Sequence, residues 1–268
     1  MIKPFLKWAG GKSQSIEMII TAAGYFTGRF IEPFVGSGVV FLNVPATEYI
    51  ISDINKDLID VFVTLRDDDN FINDLRFYFT DEYHTQEKYY ELRDKFNRST
   101  DIKERALLFV YLNRHCFNGL CRYNKSGKFN VPCGKYKTIH FPEDSLIAVK
   151  DKLSECEVVW QGFEKTIARA RLNDVIYCDP PYAPLNKAVS FTSYSNTDFN
   201  ILQQETLTKL IENAPCKALI SNHDTPFTRE LYKNADVITT REISRTISAK
   251  ATSRRKVNEL LAIYRKEY

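Results

Sequence analysis

The chain has 268 residues, enough for one large domain or two interleaved smaller ones, and 44% hydrophobic with 26% charged residues suits a sizeable core. It opens Met-Ile-Lys-Pro-Phe-Leu-Lys-Trp, without the apolar run of a secretion signal, and holds no stretch of the roughly 18 apolar residues that a membrane span needs, so a cytoplasmic protein is expected. A net charge of +3 decides nothing by itself, but five basic residues and no acid lie between Arg122 and Lys137, and six basic residues face only Glu242 between Arg241 and Lys256. Two such runs, rich in Gly, Ser, Asn and Tyr, point to a phosphate-contacting surface rather than to ordinary solvated loops.

In chain order, FLKWAGGK (5–12) sets Lys7 and Lys12 around an aromatic and two glycines. It lacks the spacing of a Walker A loop, which argues against nucleotide hydrolysis. Residues 30–34 read as a short strand running into Gly36-Ser37-Gly38, a tight turn before an expected helix. Glycines there admit a ligand close to the backbone. Residues 49–53 read as a second strand ending on Asp53, a carboxylate placed to accept the hydroxyls of a ribose. No full G-x-G-x-x-G follows, so a dinucleotide is not indicated.

Helical spacing runs over 56–66, with Leu58, Ile59, Phe62 and Leu65 on one stripe, and again over 71–97 and 103–114. Residues 118–138 carry no long periodic element. Strands are expected at 157–160, 175–178, 218–221, 236–240 and 258–264, with helices at 203–213 and near 227–233. Strands alternating with helices at both ends imply an α/β fold. Residues 1–55 and 144–268 form its sheet-bearing part, and 56–143 a mainly helical insertion.

The six cysteines form no C-x-x-C pair and read as free thiols. Cys116 and Cys121 lie near His115 and His140 at a spacing no standard zinc site uses, so no metal is expected.

The strand at 175–178 runs straight into Asp179-Pro180-Pro181-Tyr182. The carboxyl end of such a strand is where α/β sheets bind ligands. The prolines fix φ and remove two N–H donors, leaving carbonyls as the backbone polar groups. A carboxylate and a carbonyl make an acceptor pair, and Tyr182 adds a stacking face. That set suits one planar group, the exocyclic amine of a base. Accepting both its hydrogens would localise the nitrogen lone pair and aim it at an electrophile.

With these pieces in view, the chain resembles the Dam-type DNA adenine-N6 methyltransferases, in which the glycine motif precedes the recognition segment and then Asp-Pro-Pro-Tyr. FLKWAGGK, EPFVGSG, SDIN, FNGLCRYN, FNVPCGKY, VIYCDPPYAPL, ISNHDT and RRKVNELLAIY occur in the family's order across essentially the whole chain. The resemblance implies a Rossmann-like sheet that uses S-adenosylmethionine, with no metal, and an inserted DNA-recognition domain. It implies Trp8, Lys12, Gly36, Ser37, Gly38 and Asp53 at the methyl donor, with Asp179 between donor and target. Tyr182 would stack on an adenine extruded from double-stranded DNA.

On the DNA side it implies Arg122 at one guanine of GATC, through O6 and N7, and Lys7 at the other. Phe117 and Asn118 would stand near the orphaned thymine, and Leu120, Pro132 and Tyr136 beside bases or backbone. Arg254 and Arg255 fall in a basic loop (244–256) suited to phosphates and expected to order poorly without DNA. Phe117 and Cys133 depart from the larger or hydroxylated aromatics usual at those places. A bacterial or phage-encoded monomer is the implied form. The rival readings are a methyltransferase of another exocyclic amine and a DNA-binding protein that has lost catalysis. The first usually carries Ser or Asn in place of Asp179 and lacks the FNGLCRY-type segment, and the intact Asp53 and Asp179–Tyr182 speak against the second.

Overall fold

Two strands buried at every residue, apolar but for Glu32 at the end of the first, lie side by side at the centre of a sheet. They are β1 (Phe30–Glu32) and β4 (Val175–Cys178), every residue of each buried. Strands covered by helices on both faces need no polar alternation, which is why they read as continuous apolar runs. The computed structural model describes residues 1–183, 199–244 and 256–265. Among these, the sheet has seven strands in the order β3-β2-β1-β4-β5-β7-β6. β2 is Tyr49–Asp53, β3 Cys156–Trp160, β5 Lys217–His223, β6 Val237–Ser244 and β7 Lys256–Tyr264. All pair in parallel except β7, which runs antiparallel between β5 and β6. Strand order reverses between β1 and β4, so a crevice opens at their carboxyl ends, as in Rossmann-like sheets.

Alternate residues feed two cores. Phe30, Ile51, Tyr177, Leu219 and Leu261 face one, together with α1 (Ile16–Ala23), α2 (Lys56–Asp67), α5 (Ile102–His115) and α6 (Glu143–Leu153). Ile31, Ile50, Ile176, Ile220 and Leu260 face the other, under α7 (Phe163–Ile167), α8 (Ile201–Glu212) and α9 (Pro226–Leu231). α2 begins where the Asn55 side chain accepts from the Leu58 N–H at 3.2 Å, and its expected stripe is buried. α5 is buried on nearly every side, so it shows little amphipathic pattern.

Two expectations need correction. No helix follows Gly36-Ser37-Gly38: the chain makes successive tight turns over 39–43, with Leu42 N–H on the Gly38 carbonyl at 3.1 Å. A helix dipole therefore plays no part at that turn. The helical run at 71–97 is broken into α3 (Phe71–Phe77), one 3-10 turn at Asp81–Tyr83 and α4 (Gln86–Arg98). Thr85 restarts the helix by accepting from Lys88 N–H at 3.2 Å, while Phe77, Tyr78 and Tyr83 pack on one another at the corner.

Candidate functional site

β4 delivers Asp179 to the crevice where the strand order reverses. Its Oδ2 meets Lys12 Nζ at 2.8 Å, whereas its Oδ1 is buried and has no hydrogen-bond partner. Lys12 is 3% exposed and also donates to the Gly10 carbonyl at 2.6 Å. Its ammonium lies 3.9 Å from Glu259 Oε1 and 4.7 Å from the centre of the Tyr182 ring. Burial pushes the Asp179 carboxyl above its usual range, and the Lys12 charge opposes that rise. Glu259 on β7 and Glu32 at the end of β1 are raised by burial as well. One buried ammonium is thus shared between the Asp179 and Glu259 carboxyls, with Glu32 a third buried acid nearby. The Tyr182 hydroxyl is also buried, beside the Asp179 and Glu259 carboxyls, and burial drives its pKa up.

The turn after Asp179 is held from outside. Gln204 of α8 donates to the Pro181 carbonyl at 2.8 Å. Asn222 at the end of β5 accepts from Ala183 N–H at 3.1 Å, and its own amide donates to the Tyr232 hydroxyl at 2.9 Å. His223 Nδ1 lies 2.7 Å from the Ala183 carbonyl, with its ring edge-on to Tyr182 at 4.7 Å. These clamps occupy the Pro181 carbonyl.

Asp53 ends β2 beside the glycine turn. Its Oδ2 accepts from Gly36 N–H at 3.1 Å and its Oδ1 from Asn55 N–H at 2.9 Å. Burial raises its pKa, and those N–H groups pull it back. Each oxygen keeps a lone pair for a further donor such as a hydroxyl. Gly36 has φ +48°, and a Cβ there would fall 2.8 Å from Trp8 Nε1, so the indole lies close against bare backbone. Ser37 is buried, and Gly38 has φ +83° with Phe41 filling the space a side chain would take. Ile54 and Trp160 stand exposed alongside, joined by an indole N–H donated to the Ile54 carbonyl at 3.0 Å. Acceptor, bare backbone and apolar walls fit a ribose-bearing ligand such as S-adenosylmethionine.

Trp8, Gly36, Ser37, Gly38 and Asp53 gather on one side, while Lys12 sits on Asp179.

A second cluster lies over α5. Lys7 N–H donates to Asn113 Oδ1 at 2.8 Å, and its Nζ to the Arg114 carbonyl at 3.1 Å. That ammonium rests 3.8 Å from the centre of the Tyr136 ring, and burial followed by the Arg114 charge lowers its pKa. Asn118 (φ +55°) and Gly119 (φ +63°) turn the chain back sharply, leaving Phe117 38% exposed. Phe117 N–H donates to the Pro132 carbonyl at 2.9 Å, and the Tyr136 hydroxyl to the Cys116 carbonyl at 3.0 Å. Leu120 packs against the core edge. Arg122 is exposed, with its Nε on Asn130 Oδ1 at 2.7 Å. Tyr89 and Asn97 of α4 clasp residues 129–131 from below. Arg254, Arg255 and the rest of the loop at 245–255 lie outside the described residues.

Sequence reasoning passed over Glu259, Gln204, Asn222 and His223. An acid opening the apolar run 260–264 was the one signal for Glu259. Asn222 and His223 sat unused in ISNHDT, and nothing local marks Gln204. Among the described residues no group of three or more His, Cys, Asp or Glu is gathered to hold a metal ion. No helix there is long and apolar enough to cross a membrane.

The profile of the D12 class N6 adenine-specific DNA methyltransferases matches residues 8–246. A DNA adenine methylase of Serratia marcescens is 46% identical over 271 residues, covering 98% of each chain. One from Haemophilus influenzae is 44% identical, covering 98% of this chain and 93% of the relative. A solved structure of a putative RNA methyltransferase from Pyrococcus horikoshii aligns over 99% of this chain and 90% of its own, with a TM-score of 0.48 and 8% identity.

Proposed function

Since the chain belongs to the D12 class of N6 adenine-specific DNA methyltransferases, we propose that its target is the adenine of GATC in double-stranded DNA, extruded from the helix into the crevice at Asp179. S-adenosylmethionine is the methyl donor. When bound, it supplies an electrophilic sulfonium methyl group, so the work left to the protein is positioning.

Asp179 Oδ1 and the Pro180 carbonyl accept the two hydrogens of the adenine amine, turning its lone pair toward the methyl. The amine proton leaves after transfer through Asp179. Tyr182 supports the extruded ring, and extrusion costs a few kcal/mol that contacts in the crevice offset. Trp8, Gly36, Ser37, Gly38 and Asp53 hold the donor. The observation that carries this reading is the buried, unpartnered Asp179 Oδ1 at the strand-order reversal.

Residues 56–143 serve as the target-recognition unit, and 1–55 with 144–268 as the catalytic one. Arg122 and Lys7 read the guanines, with Phe117, Asn118, Leu120, Pro132 and Tyr136 around the vacated position. Arg254 and Arg255 contact phosphates, and the protein acts as a cytoplasmic monomer. Incubation with labelled donor and a GATC duplex, beside a GTTC control, tests the target. Label in the adenine N6 of the first alone is expected, and equal label in both removes GATC.

A further inference from the structure

The resemblance put Lys12 with the methyl donor and Asp179 between donor and target, and in the fold the two are in direct contact. An ammonium has three hydrogens to give. Three oxygens surround this one: Gly10 O at 2.6 Å, Asp179 Oδ2 at 2.8 Å and Glu259 Oε1 at 3.9 Å. Asp53, the acid beside the glycine turn, is not among them. At 3% exposure, Lys12 presents almost nothing to a ligand.

What it does touch is the one carboxyl whose other oxygen is left open. Asp179 Oδ1 is buried with no hydrogen-bond partner, although the side chain as a whole is 21% exposed at the crevice. Without a neighbouring cation, a carboxyl so placed would take up a proton and lose its value as an acceptor.

We infer that Lys12 is the positioning residue for the transfer. It grips Asp179 Oδ2, holds the carboxylate charged with Oδ1 turned to the incoming amine, and is itself anchored from behind by Glu259. The inference rests on the reading of Asp179 as the amine acceptor. Glu259 is fixed in turn by Ser15, the residue before α1, whose hydroxyl donates to Oε2 at 3.4 Å. The ionisable groups around Asp179 are Lys12 from the N-terminal segment, Glu32 of β1, Tyr177 and Cys178 of β4, Tyr182 of its own loop and Glu259 of β7. His223 of β5 reaches it through Tyr182, and Arg241 of β6 stands opposite Glu259. Lys12 is the cation in direct contact.

The test follows the Asp179 carboxyl by carbon-13 NMR, its resonance identified by loss in Asp179→Asn, in wild type, Lys12→Gln and Lys12→Arg. It is run beside the pH profile of kcat/KM and calorimetric binding of S-adenosylhomocysteine. In Lys12→Gln the carboxyl midpoint and the acid limb should both move up by about one pH unit, with kcat near neutrality down about tenfold. Donor affinity and the KM for DNA should hold, and Lys12→Arg should restore the wild-type midpoint.

An unmoved Asp179 titration, or a loss confined to donor affinity, overturns the assignment. If Lys12→Gln does not fold, the wild type decides: the Lys12 Nζ resonance must step at the Asp179 midpoint, and no step refutes the pairing. Failure of the wild type to methylate GATC removes the proposed target instead. The carboxyl titration, made without DNA, still judges Lys12.

Discussion

Gly119 lies directly on the stem of Lys7: a Cβ there would fall 2.2 Å from Lys7 Cβ. The two residues are far apart in sequence, so the turn that carries Phe117 and Asn118 and the N-terminal segment can only shift together. Gly119→Ala should therefore displace Lys7, with a further cost of about 1–2 kcal/mol for a side chain at positive φ. The expected outcome is a lower unfolding midpoint and weaker discrimination at one guanine, read from methylation rates on near-cognate duplexes. Wild-type discrimination in a folded variant would dissociate Lys7 from reading.

Asp179→Ala removes the open acceptor. Methyl transfer should fall by at least about a hundredfold, the scale for losing one preorganised polar contact to a transition state. Binding of S-adenosylhomocysteine, followed by tryptophan fluorescence, should change far less. Retained turnover would exclude the acceptor pair.

Arg122 needs only to leave Asn130 to present its guanidinium fork to a base edge. Arg122→Ala should relax preference at one guanine by about 1–3 kcal/mol, measured as kcat/KM ratios among single-substitution sites. An unaltered ranking of those sites would dismiss the contact.

Gly36→Ala forces a methyl group against the Trp8 indole at a φ of +48°. Donor affinity should drop at least about tenfold, since one methyl group's misfit exceeds 1.4 kcal/mol when backbone and ring must both give way. Calorimetry with S-adenosylhomocysteine measures it. Undiminished affinity would move the donor away from this turn.

His115 stacks on Tyr111 with ring centres 3.9 Å apart, its Nε2 buried and unpartnered, and burial lowers its pKa to about 3. The folded value lies below the unfolded one, so the unfolded chain binds the extra proton in acid. The stabilisation is complete above pH 6.5 and is lost as pH falls toward 3, at about 1.4 kcal/mol per unit. Urea unfolding at pH 7 and pH 5 should show that loss in wild type and a smaller one in His115→Phe. Equal losses would mean that His115 titrates normally in the fold.

The strands of the sheet were legible because burial on both faces leaves an unbroken apolar run, as at 175–178. The stripe of α2 was legible because only one side of it is covered. α1 was not: its eight residues, IEMIITAA, are too few for a period to stand out. The turn at 39–43 looked helical because apolar residues crowd it, yet Gly36 and Gly38 at positive φ send the chain elsewhere. At the site, Asp179 and Asp53 announced themselves as acids closing apolar strands. Glu259 and Gln204 did not, since their roles come from β7 and α8 being brought against a loop distant in sequence. Lys12 was seen, but nothing in Gly-Gly-Lys says that its ammonium will lie against the Asp179 carboxylate.

Six consecutive residues, 7 to 12, touch the reading turn through Lys7, the glycine turn through Trp8 and Asp179 through Lys12. A strip this short, with Lys12 buried, has little slack to absorb a misfit at one end. Under the proposed reading of Lys7 and Asp179, a misfit at a base would be felt at the carboxylate, and fidelity would then be exercised in turnover rather than in capture.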